Sequence, residues 1–196
     1  MISITFLSSC FLFFIVMHKY KLLIGSAMLA VVSVLLQIYK IAYPWGGFID
    51  IDVVGVPWLI STFLFGLSGG IITSVVAALG IAIFAPTGPI GAFMKLLATV
   101  VMVVIVGVVG KTIGFGKKGI AIAFIGCLVA RPVLMVFFNY YLGIPIFFGI
   151  PTDVALQEFP IELFIIPNML LAIIDFWVAY VLVFGTKLRS RVNAKS

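Results

Sequence analysis

Charge is what this sequence has least of. Only 9% of its 196 residues are Asp, Glu, Lys or Arg, against 64% hydrophobic, so the chain offers too little polar surface to coat a water-soluble globule. Histidine occurs once, as His18 in a basic stretch, and no GxSxG or HExxH pattern is present. Bond-breaking chemistry is therefore left without its usual carriers, and the chain reads as a non-enzyme. A phosphate loop of the GxxxxGK[ST] form is missing as well, so any ATP energy has to come from a partner. The two cysteines, Cys10 and Cys127, lie inside apolar runs without CxxC spacing. They support neither a disulfide framework nor a zinc site, and both read as packing residues. The formal charge of +6 is distributed between apolar runs rather than gathered on one soluble face, which argues against nucleic acid as a partner. No metal or cofactor is implied.

What the sequence does have is long apolar runs and a mean hydropathy of +1.38. A hydrocarbon core about 30 Å thick needs roughly 20 apolar residues per helix, so the length allows six or seven spans in one compact domain. The expected fold is all-α: a polytopic membrane protein built as a six-helix transmembrane bundle, with an extra apolar segment at the N-terminus. The first span covers 22–43, and an acidic loop from Trp45 to Val56 follows. After Pro57 a short apolar run, a tight turn at Gly69 and Gly70, and a second run to Ala85 read as two helices joined by a glycine turn. The remaining spans are 90–110, 119–142 and 161–185, and the segment Gly143 to Pro160 between the last two is a long loop rich in Pro and Gly. The expected organisation is 1–19 as an apolar helix, 20–191 as the substrate-binding bundle and 192–196 as a tail. The stretch Met1 to Met17 lacks the flanking charge and cleavage site of a signal peptide, and reads as a further short span or an interface-lying helix.

Basic residues test this division, because Lys and Arg accumulate in short cytoplasmic loops. If the spans alternate, Lys19, Lys21, Lys111, Lys117, Lys118, Lys187, Arg189, Arg191 and Lys195 fall on one side, nine of the twelve basic residues. That side is cytoplasmic, and it includes the C-terminus of a multi-pass cell-membrane protein. Asp50, Asp52, Asp153, Glu158 and Glu162 fall on the other, with Tyr43 and Trp45 at the interface.

Three ionisable residues sit inside spans, where each costs on the order of 3 kcal/mol on insertion scales and needs a partner or a use. Arg131 and Asp175 lie at matching depths, about 18 Å and about 15 Å from the cytoplasmic ends of their helices at roughly 1.5 Å per residue. A structural ion pair between adjacent helices is the expectation for them. Lys95 lies about 9 Å from the outer end of its span, with no acid at similar depth inside a helix. It either snorkels to the interface or faces an outward-open cavity. Asn139 and Asn168 fall in the same outer half, so three helices each place one hydrogen-bonding group at comparable height. Aromatic residues including Trp58, Tyr140, Tyr141, Phe147 and Phe148 surround that level, either as an interfacial belt or as pocket walls. In the first span, Ser26-x-x-x-Ala30 makes a small-residue face where another helix can approach closely, within the chain or from another subunit.

The order of these pieces over 20–191 resembles the substrate-binding S-components of energy-coupling factor (ECF) vitamin importers, most closely the riboflavin-type group. The acidic first loop Phe48-Ile49-Asp50-Ile51-Asp52 leads to Pro57, and the glycine-rich turn is Phe65-Gly66-Leu67-Ser68-Gly69-Gly70. Asn139-Tyr140-Tyr141 precedes Pro145, and Ile166-Pro167-Asn168 opens the last helix. The resemblance implies capture of a vitamin from outside, a pocket near the outer face with Asn139 and Asn168 in it, and contact of Ser26 and Ala30 with a transmembrane coupling subunit. It also implies two ATPase subunits as partners, with the lipid bilayer as the protein's surroundings. The Lys that riboflavin-type members carry after the helix 6 Asn is replaced by Leu170 and Leu171, and their Lys-Asn pair late in helix 3 by apolar residues around Gly80 to Ile83. Riboflavin is the first ligand candidate; Lys95, Trp58 and Tyr140 complete the candidate substrate-binding set. A structural scaffold of the rod-shape-determining type, similar in fold, is the alternative.

Overall fold

The computed structural model describes residues 20–37, 41–42 and 50–190. The apolar segment Met1 to Met17, with Cys10, the interface residues Tyr43 and Trp45, and the tail 192–196 lie outside the described residues. The first helix, α1, runs Tyr20–Gln37. A minimal antiparallel pair, β1 Ile41–Ala42 and β2 Asp50–Ile51, leads into α2, Gly55–Phe84. Next come α3, Gly88–Thr112, and α4, Lys117–Phe138, which passes through a π-helical turn at Asn139–Gly143 into α5, Ile144–Phe148. Helix α6, Thr152–Glu158, crosses to α7, Glu162–Tyr180, which ends in a second π-helical turn, Val181–Gly185. Five of the described helical stretches are long and apolar enough to cross a bilayer.

Helix α1 shows how such a chain turns its polarity inward. Its buried positions are Ser26, Ala30, Ser33 and Gln37, spaced as one helical stripe, whereas Leu23, Ile24, Met28, Val31 and Leu35 are exposed. In lipid the apolar side chains need no burial, and the small and hydroxyl-bearing residues instead bring helices together. The Ser33 hydroxyl donates to the Val54 carbonyl at 2.8 Å, and the Trp58 indole N–H donates to Ser33 Oγ at 2.7 Å.

Helix α2 counts as two limbs, which restores the expected six helices, but its break is not where the double glycine stands. It falls at Gly66, whose φ of 74° and ψ of −167° no side-chain-bearing residue adopts without strain. In a straight helix residues 61 and 73 would be about 18 Å apart; here Thr73 Oγ1 donates to Ser61 Oγ at 2.8 Å. The chain therefore reverses, and Gly70 is the point of closest approach between limbs: a Cβ there would lie 2.1 Å from Thr62 Oγ1 and 2.6 Å from Val103 Cγ1. Gly69 and Gly70 pack the turn, and Gly66 makes it.

The second limb of α2 packs along α3, α3 along α4 and α4 along α7, closing a bundle around Trp58, Phe63, Met102, Cys127 and Phe176. Phe63 meets Phe115, Phe176 and Phe184 edge-on, with centroids 5.2, 5.8 and 5.5 Å away. The segment read from sequence as the loop 143–160 is largely helical, since α5 and α6 occupy it, with Gly149 in the left-handed region (φ 68°) as the hinge between them.

Candidate functional site

At the end of the bundle that carries the acidic residues, a cavity of about 160 Å³ lies between α1, α3, α4, α5 and α7. Its polar lining comes from distant parts of the chain: Gln37 at the end of α1, Asp52 just before α2, Thr87 just before α3, Lys95 on α3, Arg131 and Asn139 on and after α4, and Asn168 on α7. Met94, Met135, Leu171, Ile144, Phe147 and Phe148 supply apolar walls. An apolar recess with a few converging polar groups is the usual make-up of a small-molecule site.

Lys95 does not snorkel. Its ammonium donates to Asp52 Oδ2, the lysine side chain being 14% exposed and the carboxylate 2%. From sequence, Asp52 reads as part of a solvated outer loop. The chain instead turns it inward, and Asp52 Oδ1 also accepts from the Val54 N–H at 3.1 Å, fixing the carboxylate at the entry to α2. A buried ammonium with no helical acid at its depth needs a counter-charge from elsewhere, and the loop-side approach provides one.

Arg131 and Asp175 are each 1% exposed, and Arg131 Nη1 donates to Asp175 Oδ2 at 2.7 Å. The same Nη1 lies 3.4 Å from Met102 Sδ, and Nε reaches Asn168 Oδ1 at 3.5 Å, which ties the pair to the floor of the cavity. Asp175 is pressed against the start of α2, where a Cβ on Gly55 would fall 2.3 Å from Oδ2. Glycine is the residue that allows this close approach of the α2 backbone to the carboxylate.

The two asparagines are oriented by their own helices. Asn139 Nδ2 donates to the Met135 carbonyl at 2.6 Å, and Asn168 Nδ2 to the Phe164 carbonyl at 2.8 Å. A carbonyl accepts only and a guanidinium donates only, so these contacts assign the amide oxygens to the other side of each group. Both residues follow irregularities in their helices: Asn139 opens the π-helical turn, and Asn168 follows Pro167.

Lys95, Asn139 and Asn168 therefore share one cavity, whereas two other sequence candidates lie outside it. Trp58 is fully buried in the bundle core against Ser33. Tyr140 turns away: its hydroxyl donates to the Phe159 carbonyl at 2.6 Å, its ring meets Phe164 edge-on at 5.0 Å, and its own carbonyl accepts from Thr152 Oγ1 at 3.1 Å. It fastens α6 over the bundle. Ser26 and Ala30 are likewise buried within the chain, Ser26 Oγ lying 3.3 Å from Ser61 Oγ, because the α2 hairpin occupies the small-residue face that the resemblance would give to another subunit. Among the polar lining residues, Gln37, Asp52 and Thr87 escape sequence reasoning. A glutamine inside the first apolar run, in helical register with Ser26, Ala30 and Ser33, is the signal for the first; the unmatched charge of Lys95 is the signal for the second. Among the described residues no group of three or more His, Cys, Asp or Glu could hold a metal ion.

Comparison with known proteins bears on this arrangement in three ways. A family model described as "ECF transporter, substrate-specific component" matches residues 21–186. A solved structure of the S component of a bacterial ECF transporter superposes with a TM-score of 0.74 at 23% identity, covering 86% of this chain and 96% of that one; at that identity the likeness speaks for the fold. No curated protein matches the sequence.

Proposed function

This chain belongs to the substrate-specific components of ECF transporters, a family of transport subunits and not of enzymes, and on that premise we propose that its cavity captures a vitamin or related small molecule. The protein is a multi-pass membrane protein, and partners of the family's general kind, a transmembrane coupling subunit with ATPases, supply the driving energy. The observation that carries the reading is the convergence of Lys95, Asn139 and Asn168 with Asp52 and Arg131 around one recess. Buried polar groups are expensive in hydrocarbon, and their clustering marks a place of use. The cavity faces outward in this reading, since the opposite end carries Lys111, Lys117, Lys118, Lys187 and Arg189 and is the cytoplasmic one by the basic-residue rule. Riboflavin heads the ligand panel because of the resemblance in order of motifs, followed by pantothenate, folates and biotin.

Equilibrium binding of the purified protein in detergent to that panel is the test. Saturable binding of at least one vitamin, weakened at least about tenfold by Lys95→Ala, is the expected result. The reading fails if nothing in the panel binds and Lys95→Ala leaves vitamin uptake by cells unchanged.

A further inference from the structure

The cavity's charges are already matched before any ligand arrives. Two cations line it, Lys95 and Arg131, and each is held by one carboxylate, Asp52 and Asp175 respectively. Among the described residues no other ionisable side chain lines it. The four groups cancel, two positive against two negative. A ligand with a net charge would either break one of these pairs or enter a low-dielectric recess uncompensated, and both are unfavourable.

The uncharged polar groups add a second restriction. Gln37 is 6% exposed and lines the cavity, yet its Oε1 is buried with no hydrogen-bond partner among the described residues. A buried acceptor left unpaired is unusual in a native protein and calls for an explanation. Asn139 and Asn168 each direct an N–H to a carbonyl of their own helix, and the Asn168 oxygen has only the long 3.5 Å contact from Arg131. Among the uncharged amides of the walls, Gln37 Oε1 and the Asn168 oxygen are thus acceptors left open, while Lys95 and Arg131 keep N–H donors beyond those their carboxylates use.

Resting on the ligand-capture reading of this same cavity, we propose that its ligand is an uncharged molecule that presents an N–H or O–H donor to Gln37 Oε1. Ring amides, ring imides and polyols satisfy this description; carboxylates, phosphate esters and quaternary cations do not. Gln37 is then a specificity residue, unpaired in the empty protein because its partner belongs to the ligand.

Matched pairs of probes that differ mainly in charge provide the test: nicotinamide against nicotinate, pantothenol against pantothenate, and riboflavin against its phosphate ester, each titrated into the purified full chain. In any pair that binds, the uncharged member is expected to bind at least about tenfold more tightly. Gln37→Leu should weaken that binding by about tenfold or more while leaving the thermal unfolding midpoint unchanged or raised, since it removes an unpaired buried acceptor. Gln37→Glu, which keeps an acceptor at the same place, should retain more affinity than Gln37→Leu. Tighter binding of a charged member, or unchanged affinity in Gln37→Leu, overturns this proposal and leaves the transport reading standing. Absence of binding across all six probes and the wider vitamin panel overturns both.

Discussion

The two buried ion pairs are built from similar groups but held in different ways. Arg131–Asp175 joins two mid-helix residues, both 1% exposed, with Met102, Asn168 and Gly55 packed around them. Lys95–Asp52 joins a helix to the segment just before α2, its lysine retains 14% exposure, and both partners line the cavity. The first pair resembles a bolt through the bundle; the second is part of a wall. Burial alone does not separate structural charges from functional ones. The discriminating features are what surrounds the pair and whether a ligand could reach both of its members.

Breaking each pair should sharpen that contrast. Arg131→Leu leaves Asp175 charged and unpartnered in the core, and should destabilise the protein by about 3–5 kcal/mol, read as a large drop in thermal unfolding midpoint in detergent. Retention of the wild-type midpoint would show that the pair is not structural. Gly55→Ala attacks the same pair from the backbone side. The new Cβ would meet Asp175 Oδ2 at 2.3 Å, and the forced shift should cost about 1–3 kcal/mol, measured in the same way. Lys95→Met should lower stability by about 2 kcal/mol and have its main effect on vitamin binding. Smallest of all, the double variant Lys95→Met with Asp52→Asn should lie within about 1 kcal/mol of wild type in stability, since no unpaired charge remains, yet still fail to bind ligand normally. If the double variant binds like wild type, the Lys95–Asp52 pair is a second bolt and the two pairs do not differ in role.

Much of the architecture is legible in the residues. The spans follow from hydropathy, and the depth estimates for Arg131 and Asp175 put them within reach of each other, where the structure has them 2.7 Å apart. Asn139, Asn168 and Lys95 stand out because each is polar where hydrocarbon surrounds the chain, and all three line one cavity. Where the sequence misleads about side chains, the cause is rotational or non-local; where it misleads about the turn, the cause is local. Trp58 and Tyr140 sit at a suitable height but point elsewhere, into the core and toward Phe159. Ser26 and Ala30 form the close-packing face expected of them, but the α2 hairpin fills it. Gly69 and Gly70 read as the turn because two adjacent glycines are conspicuous; the positive φ falls instead on the single Gly66.

The sequence by itself determined that lipid surrounds these helices, roughly where each one crosses, and which side chains need a protected interior. Those properties sum over local windows and depend on the solvent, which is the same for every segment. Tertiary structure alone decided that Asp52 folds inward to Lys95, that Gln37 reaches the cavity, and that α5 supplies part of its wall. Such pairings depend on the rotation of each helix about its axis and on the path of the connecting segments. A partner across the bundle leaves no periodic trace in the chain that meets it.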